Sequence, residues 1–250
     1  MATLDPSPSE RDVDSGTTET AAREARMAQR ARLQPALIMR GRRGGAAPGR
    51  TYAVAKRALD LLVAVPLALL ALPVALLIAL AIYVGDRGPI LFTQRRTGKD
   101  GARFSIYKFR TMVPDAEARK AELRAASEVA WPDFKMARDP RITTVGRFLR
   151  ATYLDELPQL INVIKGDMTL VGPRPTSFEA GLYETWQTGR LDVKPGLTGW
   201  WQLVRDRNDP GYDGRVRLDI RYVRTRGLRG DRRLIWRSIK GRGLRAGVLG

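Results

Sequence analysis

Apolar and polar positions along the chain fall into distinct patterns. Residues 61–84, LLVAVPLALLALPVALLIALAIYV, carry no charge. As one helix this run would measure ~36 Å, enough to cross a ~30 Å hydrocarbon core. Pro66 and Pro73 lie inside it; each removes a backbone hydrogen bond and can bend the helix. Residues 89–109 read differently. PILFTQ and RFSIYKF read as the arms of a β-hairpin, with Lys99-Asp100-Gly101 as its turn. In the stretch after Asp155-Glu156, Leu157, Leu160, Ile161 and Ile164 recur at helical spacing, and Pro158 suits a first helical turn. Residues 216–223 and 231–245 also read as helices. The second is basic, with Leu234, Ile235, Trp236 and Ile239 as apolar contacts. It suits a helix lying in the plane of a membrane, and equally a basic surface helix on a soluble core.

The remaining segments are more polar. Residues 115–130 read as an exposed helix and Trp131 to Pro140 as a loop. The first twenty residues are rich in Asp, Glu, Ser, Thr and Pro, residues 21–33 could form a transient Ala/Arg helix, and 40–50 is GRRGGAAPG flanked by arginine. That composition buries too little apolar surface to offset ordering entropy, so a disordered tail is expected there. The pattern therefore predicts three parts: a tail over 1–50, a membrane segment over 51–86 and a folded domain over 87–250. The fold class is α+β, mostly helical with a small β-hairpin or sheet.

The apolar run poses a topology question. Arg50, Lys56 and Arg57 precede it, and Arg87, Arg95, Arg96 and Lys99 follow. With both flanks basic, the positive-inside rule gives no orientation. A bent hairpin of two half-helices, turned at Pro66 and Pro73, keeps both flanks on one face. A kinked single span is the competing arrangement.

Composition narrows the chemistry. The chain has no His and no Cys, which excludes imidazole bases, Ser-His-Asp and Cys-His catalysis, thiolate metal sites and disulfides. Catalytic groups must come from Asp, Glu, Lys, Arg, Ser, Thr or Tyr, with a hard oxygen-bound cation such as Mg²⁺ as an option. A formal charge of +18 over 250 residues points to an anionic partner: a membrane surface, a nucleic acid or a phosphorylated substrate.

Asp155 and Glu156 are the candidate chemical groups. Before a helix they suit its dipole, and a plain acidic helix start is the simple alternative. Arg147 and Arg150 fall shortly before them. Lys108 and Arg110 share one face if residues 103–110 form a strand, where they could meet a phosphate together or line a solvated edge. Arg174 is held between Pro173 and Pro175. Trp200 and Trp201 lie beside arginines, as at a membrane interface, a stacked base or a core corner.

Taken in order, DRGPILFTQRRTGKDGARFSIYKFRTM, GRFLRATYLDELPQLINVIKGDMTLVGPRP and KPGLTGWWQL resemble the bacterial sugar transferases. These are monotopic phosphoglycosyl transferases, which move sugar-1-phosphate onto a polyprenyl phosphate. The resemblance covers roughly residues 53–225. The series is specific; no single block would suffice. It implies a re-entrant membrane helix with interfacial amphipathic helices, and a catalytic domain on the cytoplasmic face of the bacterial inner membrane. Larger relatives carry further N-terminal spans and a soluble domain, so this chain resembles the minimal catalytic form. The implied reaction takes a nucleoside-diphosphate sugar, with UDP the usual carrier, and undecaprenyl phosphate. It is the first membrane step of polysaccharide or glycoconjugate synthesis. By resemblance Asp155 is the nucleophile, and Glu156 is linked with Mg²⁺, which the two carboxylates would bind together. Lys108, Arg110, Arg150, Arg174 and Arg207 match phosphate-binding positions. Two departures stand out: Asp206 replaces a glycine before Arg207-Asn208, and the second aromatic of the Trp200-Trp201 pair stands where a small residue is common. The rival class is a membrane-tethered basic binding or scaffold protein. It leaves unexplained a proline-constrained Asp-Glu pair among arginines.

Overall fold

The computed structural model describes residues 49–123, 136, 138–200, 202 and 211–246. The tail assigned to 1–50, apart from its last two residues, half of the helix and loop expected over 115–140, and Trp201, Asp206 and Arg207 lie outside the described residues.

Helix α1, Arg50–Asp86, is formed by the apolar run and its basic N-terminal flank. It ends where Arg87 turns left-handed (φ 52) and returns its N–H to the carbonyl of Tyr83. The expected break into two half-helices is not seen: Arg50–Asp86 is a single helix with Pro66 and Pro73 inside it. Each proline costs one N–H donor, and the Leu/Ala-rich sequence on either side carries the helix through.

Strands β1, Leu91–Thr97, and β2, Arg103–Phe109, pair antiparallel from Leu91↔Phe109 to Thr97↔Arg103. Asp100 (φ 57) and Gly101 (φ 80) make the turn, where Lys99-Asp100-Gly101 predicts it. A short helix α2, Arg119–Glu122, follows. Helix α3, Thr144–Thr152, starts under a cap in which the Thr143 hydroxyl accepts from the Gly146 N–H at 2.9 Å. Helix α4 is Gln159–Lys165, closed by Gly166 at φ 92. Strands β3, Thr169–Val171, and β4, Gly196–Thr198, then pair in parallel. Helices α5, Gly211–Thr225, and α6, Leu228–Ala246, complete the described chain.

Two cores result. Ile106, Leu160, Val163, Met168, Leu170, Val171, Tyr222, Val223 and Leu234 are buried together and take in Ala64 of α1. Phe109 and Leu149 are buried with Ile78 and Ile82 from the other end of α1. On α4 the buried apolar positions are Leu160 and Val163, while Ile161, expected on the apolar face, is exposed. At 100° per residue it falls outside the sector shared by 160 and 163.

Polar contacts fix the N-terminal end of α1. Tyr52 Oη and Lys56 Nζ donate to Asp231 Oδ2 of α6 at 3.1 and 2.9 Å. The Arg57 guanidinium donates to the carbonyls of Val163 and Ile164, each at 2.7 Å, where α4 ends and its dipole is negative. Asp60 accepts from Thr169 Oγ1 at 2.7 Å and from the Leu170 N–H at 3.0 Å. At the other end Arg110 grips Asp86 through both guanidinium nitrogens. Between these anchors Leu69, Leu70, Leu72, Leu76 and Leu77 are exposed.

Candidate active site

The dyad sits in a one-turn 3₁₀ helix, Leu154–Glu156, between α3 and α4. Tyr153 makes this possible. At φ 59 it ends α3 with its N–H on the Arg150 carbonyl and redirects the chain. The carboxylates thus precede α4 by a turn of their own, with Leu157-Pro158 between.

Strand β2 supplies the cation. Lys108 Nζ lies 3.1 Å from Glu156 Oε1 and 3.7 Å from Asp155 Oδ2. Asp155 is only 9% exposed. Burial raises its pKa; Lys108 opposes this, Glu156 adds to it and Arg150 lowers it again. The outcome is a carboxylate more basic than usual, held next to an ammonium. Such a group is a better nucleophile than a solvated carboxylate.

Arg150 comes from the last turn of α3 and donates through Nε to Thr111 Oγ1 at 2.8 Å. Burial of its head lowers its pKa, and the Asp155 charge draws it back up. Close packing sets this geometry. A Cβ on Gly146 would stand 2.0 Å from the Thr111 carbonyl oxygen, so α3 can lie this near β2 only with glycine there.

Arg110 follows a different course. It lies just past β2, and its described contacts go to Asp86 and to the Pro89 carbonyl. The shared face with Lys108 ends with the strand at Phe109. Arg174, between β3 and the next loop, is held by its backbone. Its carbonyl accepts from Arg190 Nη2 at 2.6 Å, and its N–H bonds the Asp219 carboxylate. Arg190 and Asp219 pair at 2.5 Å with side chains 4% and 3% exposed. Burial pushes the Asp219 carboxyl up to about 6 against the pull of Arg190.

Thr111, Arg190 and Asp219 were not singled out from sequence. A signal existed for Asp219: it falls at helical spacing between Val216 and Tyr222-Val223, all of which are buried. An acid on that face requires a buried partner.

Among the described residues no group of three or more Asp and Glu side chains converges as a metal cage. Asp155 and Glu156 are the hard oxygen donors at this position, and both face the Lys108 ammonium.

The model of the family described as "Bacterial sugar transferase" matches residues 51–242. The chain belongs to that family. Among similar bacterial sugar transferases is an undecaprenyl-phosphate galactose phosphotransferase of Salmonella typhimurium, 43% identical over 190 residues, covering 74% of this chain and 40% of that protein. The galactosyl transferase CpsE of Streptococcus agalactiae is 40% identical over 191 residues, or 76% of this chain and 42% of CpsE. The exopolysaccharide production protein ExoY of Sinorhizobium fredii is 40% identical over 192 residues, covering 74% of this chain and 84% of ExoY. The chain thus spans about two fifths of the first two relatives and most of the third.

Proposed function

We propose that this bacterial sugar transferase moves a sugar-1-phosphate from a nucleoside-diphosphate sugar to a polyprenyl phosphate. The observation that carries the proposal is the buried Asp155, raised in pKa and set against Lys108 beside Glu156. In the first step an Asp155 oxygen bonds to the sugar-linked phosphorus. The bond from that phosphorus to the bridging oxygen breaks, and nucleoside monophosphate leaves with the electron pair. In the second step an oxygen of the lipid phosphate attacks the same phosphorus. Asp155 departs as carboxylate, and polyprenyl-diphosphate-linked sugar is formed. Splitting one displacement into two lets a single site serve a soluble donor and a lipid acceptor in turn.

Lys108 and Arg150 keep Asp155 ionised and offset charge on the phosphoryl oxygens. Arg174 is aimed by its fixed backbone, and Arg207 is assigned to phosphate by family likeness. Mg²⁺ held by Glu156 and Asp155 would neutralise charge on the donor phosphates.

The same proposal covers topology. The folded domain holds α1 at both ends, through Arg57 and Asp60 at one and Ile82 and Asp86 at the other. A spanning helix puts its ends on opposite sides of a ~30 Å apolar core, where one domain cannot hold both. The contacts therefore support re-entry, with α1 dipping its exposed leucines into one leaflet. On α6, Trp236 is 67% and Ile239 62% exposed, which supports an interfacial position. The domain then faces the cytoplasm at the inner membrane, where nucleotide sugars are made.

The test is to incubate the detergent-extracted protein with undecaprenyl phosphate and a panel of nucleotide sugars, with Mg²⁺ or with EDTA. Release of nucleoside monophosphate from one donor, abolished by EDTA and restored by Mg²⁺, is expected. No release from any donor would overturn the reaction, and full release in EDTA would remove the metal.

A further inference from the structure

Gln159 opens α4 and is only 3% exposed. Its Nε2 is buried and meets no hydrogen-bond partner among the described residues. A buried donor left unpaired is costly and calls for an explanation. Asn162, three residues on, shows how a buried amide in this helix is otherwise satisfied. Its Nδ2 donates to the Ser105 carbonyl at 2.7 Å, and its Oδ1 accepts from the Tyr107 N–H at 3.0 Å.

The backbone sets Gln159 against the dyad. The N–H groups of Glu156, Leu157, Leu160 and Ile161 each donate to the carbonyl three residues back. At three residues per turn, side chains three apart stand one above another. Glu156, Gln159 and Asn162 therefore share one face. The outer two are fixed on β2, Glu156 through Lys108 at 3.1 Å and Asn162 through Ser105 and Tyr107, and Gln159 lies between them. Helical side chains lean towards the N-terminus, onto the residues three and four before them. For Gln159 those residues are Glu156 and Asp155. Lys108 lies against both carboxylates, and the Gln159 amide donates to neither.

A neutral donor has a use here that a further cation lacks. Lys108 and Arg150 already pull the Asp155 pKa down against its burial. Another cation would lower it more and weaken the carboxylate as a nucleophile. An amide N–H carries no net charge, so it leaves that basicity largely intact. It still supplies a fixed hydrogen bond to negative charge that arrives beside the dyad.

We propose that Gln159 is a further catalytic residue, whose Nε2 donates a hydrogen bond to a non-bridging oxygen of the phosphoryl group that Asp155 attacks. The inference rests on the reaction proposed above and adds a residue to it. The phosphoryl oxygen is the acceptor that the fold itself does not provide. No proton changes hands: the amide stays neutral while charge shifts over the phosphoryl oxygens. The same bond serves as the group passes onto Asp155 and as it leaves for the lipid phosphate, so both displacements depend on it.

The test uses the full chain in nanodiscs, as wild type, Gln159→Met and Gln159→Asn. Met keeps the length and removes the donor; Asn keeps the amide and draws it back by one methylene. With the active donor, kcat should fall about 10²-fold in Gln159→Met and less in Gln159→Asn, while donor KM stays within about twofold of wild type. In single turnovers, release of nucleoside monophosphate without lipid and transfer from the adduct to undecaprenyl phosphate should slow together. The melting midpoint of Gln159→Met should equal or exceed that of wild type, because a buried unpaired donor is gone. Wild-type kcat in both variants would overturn the inference. So would a loss confined to donor KM, or to the lipid step, which would give the amide to the acceptor phosphate. A lowered midpoint in Gln159→Met would overturn it too, by making the amide a packing group. Each of these leaves wild-type turnover standing and sinks only this inference. Wild type that releases no nucleotide from any donor sinks the reaction and the inference together.

Discussion

Lys108 Nζ stands 3.7 Å from Asp155 Oδ2. Burial raises the Asp155 pKa, and Lys108 is the largest influence holding it down. Replacing Lys108 with Met should therefore raise that pKa further. The nucleophile would then be protonated over a wider acidic range, and the acid limb of the rate profile should move to higher pH. We expect kcat/KM at neutral pH to fall at least about tenfold. Rate profiles of wild type and Lys108→Met check this; an unmoved acid limb would separate Lys108 from the ionisation of Asp155.

Asp155→Asn should have opposite effects on activity and stability. Loss of the attacking carboxylate is expected to lower turnover by about four orders of magnitude or more. A folded-state pKa raised above the unfolded one means that ionised Asp155 opposes folding. The penalty grows as pH climbs from the unfolded pKa and is complete above the folded one. Asn removes it, while Lys108 keeps Glu156 at 3.1 Å. The melting midpoint near pH 7.5 should rise by about 2–4 °C, and the gain should vanish in acid. Mass spectrometry of wild type with donor alone should show a phosphosugar adduct on Asp155.

The buried pair of Arg190 and Asp219 positions Arg174 without being expected to touch substrate. Arg190→Met leaves a buried carboxylate unpaired and should cost about 3–5 kcal/mol. Arg190→Met with Asp219→Leu should recover most of that stability in a denaturant titration. It should not recover kcat/KM, because Arg174 would still lack both backbone bonds. Full activity in the folded double variant would show that the proline pair alone aims Arg174.

Topology can be read from single cysteines, since the natural chain has none. Thr51 and Glu179 are exposed and lie on opposite sides of α1 in sequence. Neither Thr51→Cys nor Glu179→Cys should react with an impermeant thiol reagent in intact cells, and both should react after lysis. Labelling of only one in intact cells would establish a span.

Local patterns carried much of this structure. The arms of the hairpin and its Lys99–Gly101 turn follow from residue pattern and turn chemistry, while the apolar run 61–84 marked only the body of α1, which begins at Arg50. The Asp155–Glu156 pair was visible through its proline, though not its separate 3₁₀ turn, which depends on Tyr153 adopting a left-handed conformation that few tyrosines take. Strands β3 and β4 are three residues each, too short to show alternation. Their pairing joins residues 169 and 196. The partner of Arg110 lies 24 residues away; periodicity indicates which face a residue takes, not which distant side chain will meet it.

The contact between Tyr52 and Asp231 joins residues 179 positions apart. Ribosomes add roughly 5–20 residues per second, so α1 emerges on the order of ten seconds before α6 can complete its seat. In that interval the helix can enter the lipid, but Lys56, Arg57 and Asp60 lack the partners they have in the finished fold. Insertion and docking are thus separate events in the life of the chain. Damage to α6 should appear first as a helix already in the membrane whose domain never closes on it.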